Sequence, residues 1–371
     1  MSRRNLARAG ASACALFLLV FQVAPASPAV AASARPSYHV ATTGSDSADG
    51  SAGHPWRTLQ RAADAVQPGA TVHVAPGRYE SGTVVAHTSG TAGERIRFLS
   101  DSTWGARIFV SPARLHHYAW RQAGSHTDIT GFDISGEGFV GIDIAGDDVR
   151  VVGNLVHGFP NVGSAGGAGI LAEDSHRAII SGNVVHDIGN PDSSNGLVHG
   201  IYLSRGSRGA VVQNNIVYRN QGAGIHTYHT AQAATISNNT VFANANWGIL
   251  IGGADGSVAD SFLVTNNIVF DNGGTGIVEN GTTGPHNRFL NNLVYRNGSA
   301  YEIRTSSAPR AGVAADPMFV RYRRDGSGDY HLAHGSPCID SGTALGAPAT
   351  DYGGRRRPRG RGCDIGAFER P

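Results

Sequence analysis

The 371-residue chain contains no lysine; all 30 of its basic side chains are arginine. That absence excludes Schiff-base chemistry, a lysine-bearing phosphate loop and a lysine general base. Cysteine is nearly as scarce, at three residues, and none forms a CxxC pair, which argues against a structural zinc site. Long apolar runs are missing: nothing beyond Val23 approaches the ~20 apolar positions that a membrane-crossing helix needs. A basic surplus is missing too. The formal net charge is +2, but Arg3, Arg4 and Arg8 lie near the start, and from Arg35 onward 27 arginines face 28 acids. A nucleic-acid binder needs a cationic surface, and this balance supplies none.

Residues 1–34 join those three arginines to an apolar stretch from Ala13 to Val23, then to small residues around Ala29-Val30-Ala31. A basic start, a short apolar core and an A-x-A site read as a secretory signal peptide, so the protein is expected to be secreted. In an oxidising compartment the two remaining cysteines, Cys338 and Cys363, are expected to pair and close the C-terminal segment.

Glycine is abundant, at 51 residues, and disfavours helix without showing a collagen period. Asparagine is concentrated. After residue 34 all 20 asparagines fall between Asn154 and Asn297. The unit Asn-x-Val-(His or aromatic) starts at Asn154, Asn183, Asn215, Asn239, Asn267 and Asn292, with spacings of 29, 32, 24, 28 and 25. A second asparagine follows at Asn220, Asn244, Asn272 and Asn297, and a Gly-Ile unit recurs at Ile142, Ile170, Ile201, Ile225, Ile249 and Ile277. Irregular periods of this length, with alternating β patterns and glycine turns, predict a solenoid of stacked coils. Three short strands per coil, with coils about 4.8 Å apart, give an all-β, right-handed parallel β-helix. Stacked turn asparagines predict a structural ladder. The column His157, His186, Tyr218, Phe242, Phe270, Tyr295 reads as a second structural stack.

Open solenoid ends need covering. Trp56, Leu59, Ala63 and Val66 lie on one face of a helical pattern before Pro68-Gly69, which predicts an N-terminal helical cap. The repeat body is expected over 35–315, with a C-terminal capping segment over 316–371. The turn at Asp46, Asp49 and Gly50 reads as structural or calcium-binding, and the Arg355–Arg357 run as a solvated patch.

The segments YHVATTGSDSADGSAGHPWRTLQRAADAV, ATVHVAPGRY, ADPMFV, DYHL, SPCIDSG and CDIGAFE resemble the opening and closing modules of secreted bacterial β-helix proteins of the pectin lyase-like superfamily. That resemblance implies a carbohydrate-active protein. The superfamily holds polysaccharide lyases, glycoside hydrolases, epimerases and non-catalytic surface proteins, and many of its lyases use lysine or arginine as the base.

With each Gly-Ile isoleucine inward, its successor faces outward. The outward column then reads Asp143, Leu171, Tyr202, His226, Leu250, Val278. Flanking positions add Glu173, Asp174, His199, Arg205, Tyr228, His229 and Trp247, so titratable side chains gather on the central coils. An exposed groove on such a face suits an extended polymer. The expected chemistry is β-elimination on an acidic, uronate-containing polysaccharide. Arg205 or a cation neutralises the carboxylate, His199 or His226 acts as base, and Tyr202 or Tyr228 is the acid or, with a lowered pKa, both acid and base. His229 belongs to the same catalytic set, and Trp247 and Glu173 are expected to bind substrate. Two alternatives stay open: a hydrolase pairing Glu173 with Asp174, Asp143 or Asp187, and a non-catalytic glycan binder. Asp143, Glu173 and Asp174 are also candidate calcium ligands. The chain is expected to be monomeric.

Overall fold

The structure, a computed structural model, describes residues 35–111, 118–160, 166–190, 192 and 196–370; the expected signal peptide lies outside the described residues. Runs of Val and Ile, broken by Gly or Asn at each corner, give parallel strands of three to seven residues. They stack into three parallel sheets. Sheet I has 10 strands, from Ser37–Val40 to Arg288–Leu290; sheets II and III have 9 each, ending at Leu293–Tyr295 and Ser299–Glu302. The result is an all-β parallel solenoid with almost no helix. Among the described residues no helix is long and apolar enough to cross a membrane.

The repeat spacing sets the register. Ile142, Ile170, Ile201, Ile225, Ile249 and Ile277 are mutual neighbours across sheet III, and all are fully buried. The asparagine ladder stands at the corner between sheets I and II, with a division of labour that periodicity did not show. The residue before each ladder asparagine takes a left-handed backbone: Gly153, Gly182, Asn214, Asn238, Asn266 and Asn291, with φ between 49° and 66°. Glycine and asparagine tolerate that conformation best. The ladder residue itself turns inward. In Asn215, the backbone N–H and Nδ2 both donate to Asn239 Oδ1 at 2.9 Å, and Nδ2 also donates to the Ile180 carbonyl. From Asn154 to Asn267 every amide in the column is paired this way, and at the end Asn292 donates to the Val264 carbonyl, which is what a buried polar group requires.

Among the described residues one short helix is present, Leu59–Ala65, with Thr58 accepting from the Arg61 N–H at its start. Trp56, Leu59, Ala63 and Val66 are buried along one face, as their spacing predicts. Its neighbours are the edge strands Ser37–Val40, which sequence patterning did not single out, and Val84–Ala86. The Asp46 carboxylate accepts from the backbone of Arg57 and Thr58 and from the Thr58 hydroxyl. That turn is a brace for the helix start.

The C-terminal segment runs along the side of the solenoid. The left-handed asparagines Asn214, Asn238, Asn266 and Asn291 donate outward to carbonyls of Thr350, Asp364, Thr343 and Ser341. Tyr322 and Tyr330 pack on Phe242 in the aromatic column of sheet II, where His157, His186, Tyr218 and Phe242 stack 4.7–5.1 Å apart. Two expectations for this segment are corrected. Cys338 and Cys363 are free, buried thiols, not a disulfide. The reason is register: Ile365 N–H bonds the Cys338 carbonyl while Cys363 lies opposite Gly342, so the cysteines are offset along the antiparallel pair. Nor is the arginine run all solvated. Arg357 is buried against Glu369 and donates to Asn214 and the Gly366 carbonyl.

Candidate active site

Sheet III presents its outward side chains in the expected columns. Asp143, Leu171, Tyr202, His226, Leu250 and Val278 are neighbours from strand to strand. Two small apolar clusters form on this outer face. One holds Val140, Ala168 and Leu171 with Tyr202; the other holds Ala223, Leu250 and Val278 with Tyr228 and Trp247. Between them lies a contiguous set of rings: His199 to Tyr202 at 5.0 Å, Tyr202 stacked on His226 at 4.7 Å, and His226 to Tyr228 at 5.3 Å.

Two clefts open beside these rings, sharing Gly166, Tyr202 and His229. The first, about 310 Å³, is lined by Leu171, Glu173, Ser204 and Arg205. The second, about 410 Å³, is lined by His199, His226, Tyr228, Trp247 and Leu250. His199, Tyr202, Arg205, His226, Tyr228, His229, Trp247 and Glu173 are therefore brought together. A wall comes from the connections around Gly166 and Gly196; a Cβ on Gly196 would meet the Trp247 ring at 2.9 Å, so glycine there lets the chain lie against the indole.

The electrostatics revise several expected roles. His199 is only 2% exposed and burial pushes its imidazole down to about 3; burial, then the neighbouring His199 and His229, hold His226 well below its usual value. Both rings are neutral at physiological pH. Neither has a free basic nitrogen: Ala223 N–H donates to His199 Nδ1 at 3.2 Å, and His199 Nε2 lies 2.8 Å from His226 Nδ1. Tyr202 keeps only the first of its two expected roles. Burial raises its phenol above the usual value, so it stays a proton donor and is not a ready base.

His229 is different. Its Nδ1 lies 2.6 Å from Asp255 Oδ2. An ionised carboxylate only accepts, so Nδ1 carries the proton and the neutral ring presents the Nε2 lone pair. Asp255 was not singled out from the sequence: it sits in a turn with φ of 56°, outside the repeating columns. Arg205 is exposed and makes no ion pair among the described residues.

The remaining acids do not converge. Asp143 is fully buried and pairs with Arg121 at 2.5 Å; burial outweighs that arginine and, with Glu173 nearby, raises its carboxyl to about 7. Asp174 occupies an exposed, left-handed turn, and Asp187 pairs with His186 and Arg219 on sheet II. None of these gives Glu173 an open carboxylate partner. Among the described residues no three His, Cys, Asp or Glu side chains form a group able to hold a metal ion. The expected calcium set of Asp143, Glu173 and Asp174 is thus not assembled.

Comparison with known proteins follows this geometry. Pectate lyase Pel9A has a similar structure, with a TM-score of 0.63 and 18% identity over 91% of this chain and 97% of that one. A rhamnogalacturonan lyase gives a TM-score of 0.50 at 16% identity, covering 78% and 92%, and XylC in complex with xylose gives 0.51 at 10%, covering 90% and 98%. At these identities the likeness is one of fold. No curated protein gives a sequence match. The family model described as Pel9A-like, right-handed β-helix region, matches residues 38–314. By that match, which spans most of the solenoid, the chain belongs to the Pel9A-like right-handed β-helix family.

Proposed function

We propose that the protein is a secreted polysaccharide lyase that cleaves a uronate polymer by β-elimination on the outer face of sheet III. One observation carries this reading: His229, oriented by Asp255, lines both adjoining clefts, beside a proton-holding tyrosine and an arginine that makes no ion pair among the described residues. Arg205 pairs with the substrate carboxylate and lowers the cost of charge that develops at C5. His229 Nε2 removes the C5 proton. As the C4=C5 double bond forms, the C4–O4 bond breaks, and the leaving oxygen takes a proton from Tyr202 or Tyr228. Trp247 offers an apolar face to a sugar ring. The pectate lyase and rhamnogalacturonan lyase among the structural neighbours agree with this class of chemistry. Secretion rests on the residue pattern of 1–34.

The hydrolase reading loses support because Asp143 is buried against Arg121 and cannot face Glu173 across a substrate. Incubation with pectate, alginate and glycosaminoglycan tests the proposal directly. Lyase action releases chain ends with a C4–C5 double bond and its ultraviolet absorbance. Reducing ends without that absorbance indicate hydrolysis, and binding without new ends indicates a glycan-binding protein; either result overturns the proposal.

A further inference from the structure

The paired histidines of the second cleft have a fixed direction. Both are neutral, so each ring carries one N–H. His199 Nδ1 faces the Ala223 backbone N–H, which can only donate. That nitrogen therefore holds the lone pair, and the His199 proton sits on Nε2. His199 Nε2–H in turn donates to His226 Nδ1 at 2.8 Å, which leaves the His226 proton on Nε2. The opposite arrangement would set an N–H of His199 against the N–H of Ala223. His226 Nε2–H is buried and has no hydrogen-bond partner in the described structure. A buried, unsatisfied donor costs about 1–3 kcal/mol, so its survival beside a cleft calls for a reason.

We infer that His226 is a neutral hydrogen-bond donor to the saccharide, aligned by His199, and that it stabilises negative charge on a sugar oxygen during the reaction. This rests on the lyase reading and deepens it. His226 is only 6% exposed and lines the cleft with Tyr228, Trp247 and Leu250. A bound carboxylate or hydroxyl oxygen supplies the missing acceptor. A neutral imidazole suits this role, because its N–H is present across physiological pH and a dry surround strengthens it as a donor to developing charge. His199 is a positioning residue. Both of its ring nitrogens are engaged, by Ala223 and by His226, so it acts by removing the alternative tautomer of His226.

Nitrogen-15 NMR of the imidazoles in the full chain tests this without turnover. Between pH 5 and 8 both rings should stay neutral, each protonated on Nε2, and a uronate oligomer of the accepted polymer should shift the His226 Nε2 resonance. Titration of either ring in that range, a proton on His226 Nδ1, or no shift with saturating oligomer overturns the inference. In kinetics, His226→Ala should lower kcat about 100-fold with KM within about threefold, a loss typical of an oxyanion-type donor. His226→Gln, whose side-chain amide keeps an N–H, should recover at least tenfold of that loss; equal activity in the two variants would sink the role. His199→Phe should let His226 populate both tautomers and lower kcat about tenfold, whereas a purely structural His199 would leave the tautomer unchanged. A wild-type protein that yields no unsaturated ends overturns the lyase reading alone, because the tautomers and the ligand shift are read independently of cleavage.

Discussion

Two buried polar columns run along this solenoid, and they end their hydrogen bonds differently. At the corner between sheets I and II, asparagines stack coil on coil, and each amide from Asn154 to Asn267 finds partners on both sides. On the outer face of sheet III, His199 and His226 meet edge to face with ring centres 4.1 Å apart, yet the chain of donors stops at His226 Nε2. Both columns are desolvated, so both carry the cost of removing polar groups from water. Only the first recovers it in full. A column that is fully satisfied holds coils in register; one that is left short by a single acceptor is set up to receive that acceptor from a ligand.

Removing one rung should have the largest effect. In Asn239→Ala, the Asn215 backbone N–H loses its acceptor and the Val212 carbonyl its donor, while Asn215 Nδ2 keeps only its bond to the Ile180 carbonyl. At about 1–3 kcal/mol for each of the two stranded groups, the expected loss is about 2–6 kcal/mol, read as a shift of the urea midpoint at constant slope. A loss below 1 kcal/mol would mean that water enters the corner and that the two columns do not differ in this way.

The complementary change on the outer face should spare stability and remove activity. His229 is partly exposed and its one polar contact is to Asp255. His229→Ala should reduce kcat/KM about 1,000-fold, within the usual 10²–10⁴ contribution of a general base, while stability changes by less than about 1 kcal/mol. Retained cleavage of a uronate polymer would remove His229 from the mechanism.

How far these two columns were legible beforehand differs for a physical reason. Asn154, Asn183 and Ile142, Ile170 repeat because the coils repeat, so their spacing fixed sheet, register and inward face. The same spacing gathered His199, Tyr202, Arg205, His226, Tyr228, His229 and Trp247. It did not show that two of those histidines lose water altogether, since burial depends on the masking of Tyr202, Tyr228 and the Gly166 and Gly196 connections. Asp255 escaped because columns counted from the Gly-Ile units set Gly253, not Asp255, against His229. Cys338 and Cys363 misled because a compartment argument says nothing about the antiparallel offset that separates them.

Acid provides a third separation of the columns. Asparagine does not titrate, whereas both histidines are held neutral in the fold and take up a proton near pH 6.5 when unfolded. Their folded pKa values lie below the unfolded ones, so this contribution is complete above about pH 6.5 and is lost as pH falls towards the folded values. Each histidine should cost about 1.4 kcal/mol of stability per pH unit over that window. Asp143 works in the opposite sense: its carboxyl, raised to about 7, binds a proton in the fold first, so it loses stability as pH rises from 3.8 through 7. The isolating measurement compares wild type with the His199→Phe, His226→Phe double variant by urea unfolding at pH 7 and pH 5. The wild type should lose about 4 kcal/mol more than the variant between pH 7 and pH 5. Equal slopes would show that the pair is hydrated and titrates normally.

The smallest effect is expected at Asp255, and it separates orientation from charge within the outer face itself. Asp255 is more than half exposed, so its pairing with His229 should add little to stability. What it supplies is direction: a carboxylate 2.6 Å from Nδ1 leaves Nε2 as the basic nitrogen of a ring that lines both clefts. In Asp255→Asn the amide can donate as well as accept, so His229 can adopt the wrong tautomer for part of the time. Cleavage should fall about tenfold in kcat, roughly 1.4 kcal/mol, with KM and the urea midpoint unchanged. His229→Ala made on top of Asp255→Asn should then bring the rate to that of His229→Ala alone, because a carboxylate that acts only through the imidazole has nothing left to orient. A further loss in the double variant would assign Asp255 a direct contact with the sugar, and the outer face would then carry two independent polar contacts instead of one oriented base.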